Sequence, residues 1–162
     1  MSKFRAGVIT VSDRCAKGIC GDTSGPEIKR ILEQNGYEVC FSKIVSDDKE
    51  EIKNAVTEMC GKTELIITTG GTGLSPRDNT PEATMEIAQK NVPGIAEAIR
   101  MKSMQITDRA MLGRGVSVIR DNTLIINLPG SVKAVRESLE FIIGVLPHAL
   151  NVLAGEVKDC GR

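Results

Sequence analysis

A chain of 162 residues falls near the size of one domain, and its 41% hydrophobic and 26% charged residues suit a packed core rather than a disordered chain. Twenty-one basic residues balance twenty-one acidic ones, and three Phe and one Tyr are the only aromatics, which argues against a nucleic-acid partner. No apolar run approaches the roughly 20 residues of a membrane helix, and Met1-Ser2-Lys3-Phe4-Arg5 leads straight into a strand-like segment rather than a leader, so a cytoplasmic protein with no membrane partner is expected.

In chain order, Ala6 to Val11 is a short β-branched run of the kind buried on both sheet faces. Ser24 and Glu27 have capping-box spacing, Pro26 suits a first helical turn, and Ile28, Ile31 and Leu32 share one face. Gly36 can close that helix, and Tyr37 to Val45 reads as a second strand. Asp47 with Glu50 repeats the cap signal ahead of Ile52, Val56 and Met59. Leu65 to Thr69 is a third buried strand, and it feeds directly into Gly70-Gly71-Thr72-Gly73.

Further along, Thr80-Pro81-Glu82 and Pro93-Gly94 each open a helix. Val116 to Ile119 and Thr123 to Asn127 flank Arg120-Asp121-Asn122 as a hairpin that adds an antiparallel strand. Leu128-Pro129-Gly130-Ser131 then turns into a helix carrying Val132, Val135, Leu139 and Ile142. Strand alternating with helix predicts an α/β fold with a mostly parallel sheet, a single domain over residues 1–162.

Ligands of open α/β sheets bind beyond the carboxyl ends of the parallel strands. Ser12-Asp13-Arg14, Asp47-Asp48, and the glycine loop with Arg77-Asp78 all fall at such ends. Gly70, Gly71 and Gly73 let backbone amides approach an anion, so the loop predicts a phosphate-bearing ligand. Neither familiar phosphate loop fits, because Leu74-Ser75-Pro76 stands where a Walker loop needs Lys and where a dinucleotide fingerprint needs its last glycine. Asp78 is either a turn carboxylate or a Mg²⁺ ligand, and Asp47 either a helix cap or its companion ligand. Arg14, Arg77 and Lys133 are candidate phosphate partners or solvated charges. Ser131 either caps a helix or marks, with Pro129 and Gly130, a second anion site.

Cys15, Cys20, Cys40, Cys60 and Cys160 are odd in number and widely spaced, which predicts reduced thiols rather than a disulfide framework or zinc site. The single histidine, His148, lies in the apolar run Leu146 to Leu153, where a packing role is expected.

Taken together, the chain resembles the molybdopterin adenylyltransferase family of small molybdenum-cofactor biosynthesis proteins, which includes MogA and MoaB. The marks are Ser12-Asp13-Arg14, Asp22 through Pro26, Thr68 through Gly73 continued by Pro76 through Thr84, Pro93-Gly94 with Glu97 and Arg100, and Asn127 through Ser131 with Lys133, Ala134, Val135 and Glu137. Gly113 before Arg114 and Ser46 before Asp47 depart from the pattern, where Ser and Pro are common. The resemblance implies a three-layer α/β sandwich, assembly as a homotrimer or hexamer, and Mg²⁺-dependent transfer of AMP from ATP to the terminal phosphate of molybdopterin with release of pyrophosphate. It implies Asp47 and Asp78 as the essential carboxylates and metal ligands. It assigns Ser12, Asp13, Arg14, Gly70, Gly71, Thr72 and Gly73 to the pterin and nucleotide pocket, and Pro129, Gly130 and Ser131 to the nucleotide side. A paralogue that binds the pterin without transferring AMP is the alternative.

Overall fold

The computed structural model describes residues 4–157; Met1-Ser2-Lys3 and Cys160 lie outside the described residues. In chain order the elements are β1 (Arg5–Val11), α1 (Asp13–Ala16), α2 (Ser24–Gln34), β2 (Glu38–Val45), α3 (Lys49–Met59), β3 (Leu65–Thr69), α4 (Thr80–Ile87), β4 (Lys90–Asn91), α5 (Pro93–Met104), a 3₁₀ turn (Asp108–Leu112), β5 (Ser117–Arg120), β6 (Thr123–Leu128), α6 (Val132–Ile142) and α7 (Leu146–Leu153). The six strands form one sheet in the order β2-β1-β3-β6-β5-β4. The β2, β1, β3 and β6 strands run parallel, while β5 is antiparallel to β6 and β4 to β5.

Side-chain alternation along the central strands builds two cores. Leu65 and Ile67 of β3, with Leu124, Ile126 and Leu128 of β6, pack on one face against residues of α2, α5, α6 and α7. Ile66 and Ile125 point the other way and pack against α3 and α4 through Ile52, Val56, Met59 and Ala83. The result is three layers, as expected for strands buried on both faces. Each fully buried aliphatic side chain contributes about 1.5–3 kcal/mol of transfer free energy.

The β5–β6 hairpin turns on Asp121 and Asn122, whose φ angles of 49° and 60° are those of a type I′ turn. The edge strand β4 has two residues, too few for a sequence signature.

Two caps differ from the sequence expectation. Ser24 is the first residue of α2 rather than its cap, and its Oγ donates to the Gly130 carbonyl at 2.7 Å. Ahead of α3 the capping residue is Asp48, which accepts from the Glu51 amide. Asp47 is thereby left free of the helix.

Parallel pairing of β1 with β2 and β3, and of β3 with β6, sets Val11 opposite Val45, Thr10 opposite Thr69, and Thr69 opposite Leu128. The segments that follow these strands therefore leave from one edge of the sheet.

Candidate active site

Gly70 and Gly71 follow β3 with φ angles of +93° and +66°, in the left-handed region that glycine enters without strain. Space forbids a side chain here as well. A Cβ on Gly70 would lie 2.3 Å from the Val11 carbonyl oxygen, and one on Gly71 would lie 2.3 Å from Thr80 Oγ1. The turn is tied to its surroundings by Thr80 Oγ1, which donates to the Gly70 carbonyl at 2.9 Å, and by the Gly70 amide, which donates to the Leu128 carbonyl at 3.3 Å. Thr69 Oγ1 donates to the Pro129 carbonyl at 2.7 Å, holding Pro129-Gly130 beside the turn.

Both predicted carboxylates stand against this turn. Asp47 Oδ1 lies 3.1 Å from where a Gly71 Cβ would be, and Asp78 Oδ2 lies 2.8 Å from the corresponding point at Gly73. Asp47 and Asp13 grip each other reciprocally: the Asp13 amide donates to Asp47 Oδ2 at 2.8 Å, and the Asp47 amide donates to Asp13 Oδ1 at 2.9 Å. Burial pushes the Asp47 carboxyl above the usual carboxylate range, and the charges of Asp13 and Asp78 push it the same way. Asp78 Oδ2 accepts from the Ser75 amide at 3.1 Å. Among the described residues, no hydrogen bond engages Asp47 Oδ1 or Asp78 Oδ1.

Arg77 forks onto Asp13 with Nε and Nη2 at 3.0 and 2.9 Å, so two of its guanidinium nitrogens are engaged by a carboxylate. Arg77, and next the Asp47 amide, hold Asp13 down to about 2. A depressed acid adds stability above its ordinary value of 3.8, and that stability is lost as pH falls toward about 2. In Arg77→Gln the Asp13 carboxyl should titrate nearer 3.8, and stability should fall less steeply through this window. A ¹³C NMR titration that left Asp13 unmoved would contradict the pairing.

A cavity of about 630 Å³ opens on the far part of the turn, lined by Gly70 to Leu74, Asp78, Pro129 and Gly130. Its size falls within the 300–1,000 Å³ typical of small-molecule sites. Ser12, Asp13, Arg14, Asp47, Arg77, Ser131 and Lys133 do not line it. Ser12 Oγ caps α1 by accepting from the Cys15 amide, Arg14 is exposed, and Ser131 Oγ caps α6 by accepting from the Ala134 amide. Lys133 stands 3.9 Å from Glu137.

Arg100, Arg109, Asn127, Gly115 and Glu137 also line the cavity without having been predicted as site residues. Arg100, Asn127 and Glu137 were visible as marks of the family resemblance. Arg109 lies in the 3₁₀ turn, where no periodicity advertises it. Arg100 Nη1 is occupied by the Gly113 and Gly115 carbonyls at 3.2 and 2.9 Å. Asn127 Nδ2 donates to the Thr68 and Thr84 hydroxyls at 2.9 and 3.1 Å, joining β6, β3 and α4 beneath the cavity.

Contrary to expectation, His148 is exposed on α7; it does not line the cavity. All four described cysteines are free thiols, yet the fold brings two together: Cys15 and Cys20 Sγ are 3.1 Å apart. Burial pushes the Cys60 thiol up to about 11, which suppresses its thiolate. Oxidised glutathione should therefore convert Cys15 and Cys20 to a disulfide, releasing two reduced glutathiones, before it modifies Cys60. Peptide mapping checks this; prior glutathionylation of Cys60 would contradict it.

Residues 7–148 match the family described as "Probable molybdopterin binding domain". The chain belongs to this family. Among relatives of this chain, a molybdopterin adenylyltransferase of Helicobacter pylori is 39% identical over 160 residues, 96% of this chain and 90% of that protein. Gephyrin of Dictyostelium discoideum is 44% identical over 94% of this chain, which spans 23% of gephyrin's length. The crystal structure of the molybdopterin biosynthesis enzyme MoaB from Thermus thermophilus superposes with a TM-score of 0.88 at 45% identity, covering 94% of this chain and 97% of that one. The fold of the molybdopterin-binding family thus agrees with the three-layer, mostly parallel architecture found here.

Proposed function

We propose that the chain acts in molybdenum-cofactor biosynthesis as a Mg²⁺-dependent adenylyltransferase that joins AMP from ATP to the terminal phosphate of molybdopterin and releases pyrophosphate. One observation carries this reading: Asp47 and Asp78 flank the same glycine turn, each with one carboxylate oxygen outside any protein hydrogen bond among the described residues. The adenylyltransferase name of the Helicobacter pylori relative supports it.

The donor set suits the metal. Mg²⁺ binds hard oxygens, takes one or two carboxylates, and completes its shell with water and substrate phosphates. Among the described residues no group of three or more His, Cys, Asp or Glu forms a closed cage, so a pair such as Asp47 and Asp78 would hold the ion only in part. When bound, Mg²⁺ neutralises phosphate oxygens and the charge that gathers on departing pyrophosphate.

The remaining work falls to this chain's own groups. An oxygen of the molybdopterin phosphate attacks the α-phosphorus of ATP, and the bond to the β,γ-pyrophosphate breaks. A phosphate monoester is already anionic near neutral pH, so no strong base is needed. That agrees with a cavity lined, among the described residues, by neither cysteine nor histidine. The Gly70–Gly73 backbone can approach phosphate oxygens closely and place the reactants in line. Arg77 holds Asp13, and Asp13 in turn holds the Asp47 backbone and carboxylate in place.

Exposed Met101, Ile106, Met111, Leu112, Phe141 and Val145 supply apolar surface that assembly into a trimer or hexamer would cover. No helix among the described residues is long and apolar enough to cross a membrane, which is compatible with work in the cytoplasm.

Purified protein given molybdopterin, ATP and Mg²⁺ should release pyrophosphate in step with adenylylated molybdopterin. Tight pterin binding without pyrophosphate would make the chain a carrier of the pterin instead.

A further inference from the structure

Arg114 lies between two cavity-lining residues, Gly113 and Gly115, yet is itself absent from the wall. Its guanidinium instead spans the loop that follows the glycine turn. Nε donates to the Gly73 carbonyl at 2.7 Å, and Nη2 donates to the Asp78 carbonyl at 2.9 Å. Nη1 makes a short contact with the Glu82 carboxylate, and the Arg114 backbone amide donates to the Thr72 carbonyl at 2.9 Å. One residue therefore holds both ends of the segment Gly73–Asp78.

Inside that segment the bonds are local. The Asp78 amide donates to the Ser75 carbonyl at 2.9 Å, and the Ser75 amide donates to Asp78 Oδ2 at 3.1 Å. These bonds shape the turn that carries Asp78. Two residues on, Thr80 ties the chain to the glycine turn, its amide donating to the Gly71 carbonyl at 3.1 Å and its Oγ1 to the Gly70 carbonyl. The guanidinium adds charge-assisted bonds to the carbonyls at the two ends of the segment itself. Glu82 braces it from α4, and Arg114 in turn holds the Glu82 carboxyl below the usual range.

We infer that Arg114 is a positioning residue that sets the Asp78 carboxylate against the glycine turn, an inference that rests on the role given to Asp78 above. A planar fork can bond two carbonyls at fixed separation, and an ammonium point charge cannot. Lysine at this position therefore keeps the charge and loses the clamp.

The test uses Arg114→Lys and Arg114→Gln in the full chain, with two readouts. Amide hydrogen exchange at Ser75 and Asp78 should accelerate by at least about tenfold in both variants, with Leu65–Thr69 unchanged. In the pyrophosphate assay kcat should fall about 100-fold, the effect of roughly 1 Å of misplacement at a reacting centre. The KM for molybdopterin should move by less than about threefold, and added guanidinium should recover part of the Arg114→Gln loss. Unchanged exchange at Ser75 and Asp78, or wild-type kcat in Arg114→Lys, overturns the inference. Wild-type protein that releases no pyrophosphate overturns the adenylyltransferase reading instead, and the exchange result then decides whether Arg114 clamps the loop.

Discussion

Asp78→Asn is expected to fold normally and to lose at least about 100-fold in the rate of pyrophosphate release, the scale of removing one electrostatic stabiliser from a preorganised site. The amide keeps the shape of the carboxylate, and its oxygen can still accept from the Ser75 amide as Asp78 Oδ2 does. The change is therefore one of charge. Because the Asp78 charge helps raise the Asp47 carboxyl, Asp47 should titrate lower in this variant. The two measurements are independent: steady-state turnover reports the chemistry, and a ¹³C titration of Asp47 reports the proximity of the two carboxylates. Full activity in Asp78→Asn would remove Asp78 from the metal site.

Gly70→Ala is expected to be among the most destabilising single substitutions in the chain. Its φ of +93° strains any side-chain-bearing residue, and the new Cβ would stand 2.3 Å from a backbone oxygen, that of Val11, which cannot swing aside. Strain and overlap of this kind cost about 1–3 kcal/mol each. At roughly 2–4 °C per kcal/mol for a chain of this size, the melting temperature should fall by about 10 °C. Gly94→Ala is the control: nothing lies within 4 Å of its added Cβ, so stability should hold or rise by a few tenths of a kcal/mol. Equal melting temperatures for wild type and Gly70→Ala would refute the packing of the turn against β1.

The strands β1, β3 and β6 were legible because they are runs of β-branched and aliphatic residues buried on both faces, and the β5–β6 hairpin because Asp121-Asn122 is strong turn chemistry; the strand order and the two-residue β4 were not read from the sequence. The convergence of strand ends followed from parallel topology alone. Both cap errors have one cause. Spacing shows that Ser24 and Asp47 could cap, but it cannot show that a neighbour in sequence does the job or that a distant group claims the side chain. Asp48 takes the α3 cap, Asp47 goes to Asp13, and Ser24 reaches Gly130 across the sheet edge.

Arg77 illustrates the same limit from the side of charge. A lone arginine beside a glycine loop reads as a phosphate partner, whereas the fold engages it with Asp13. The cavity wall from Ala96 to Gly115 was the least legible part, because its shape comes from one face of α5, a 3₁₀ turn and an extended segment held by Arg100 and Arg114. Cys15 and Cys20 looked widely spaced along the chain, but the short helix α1 and the turn after it fold them together.

Crystals grown with Mn²⁺ and a non-hydrolysable ATP analogue test the shared site most directly. The account predicts one anomalous peak bound by the carboxylates of both Asp47 and Asp78, with the triphosphate lying over Gly70 to Gly73. Nucleotide seated elsewhere, or a metal that contacts neither carboxylate, would contradict it.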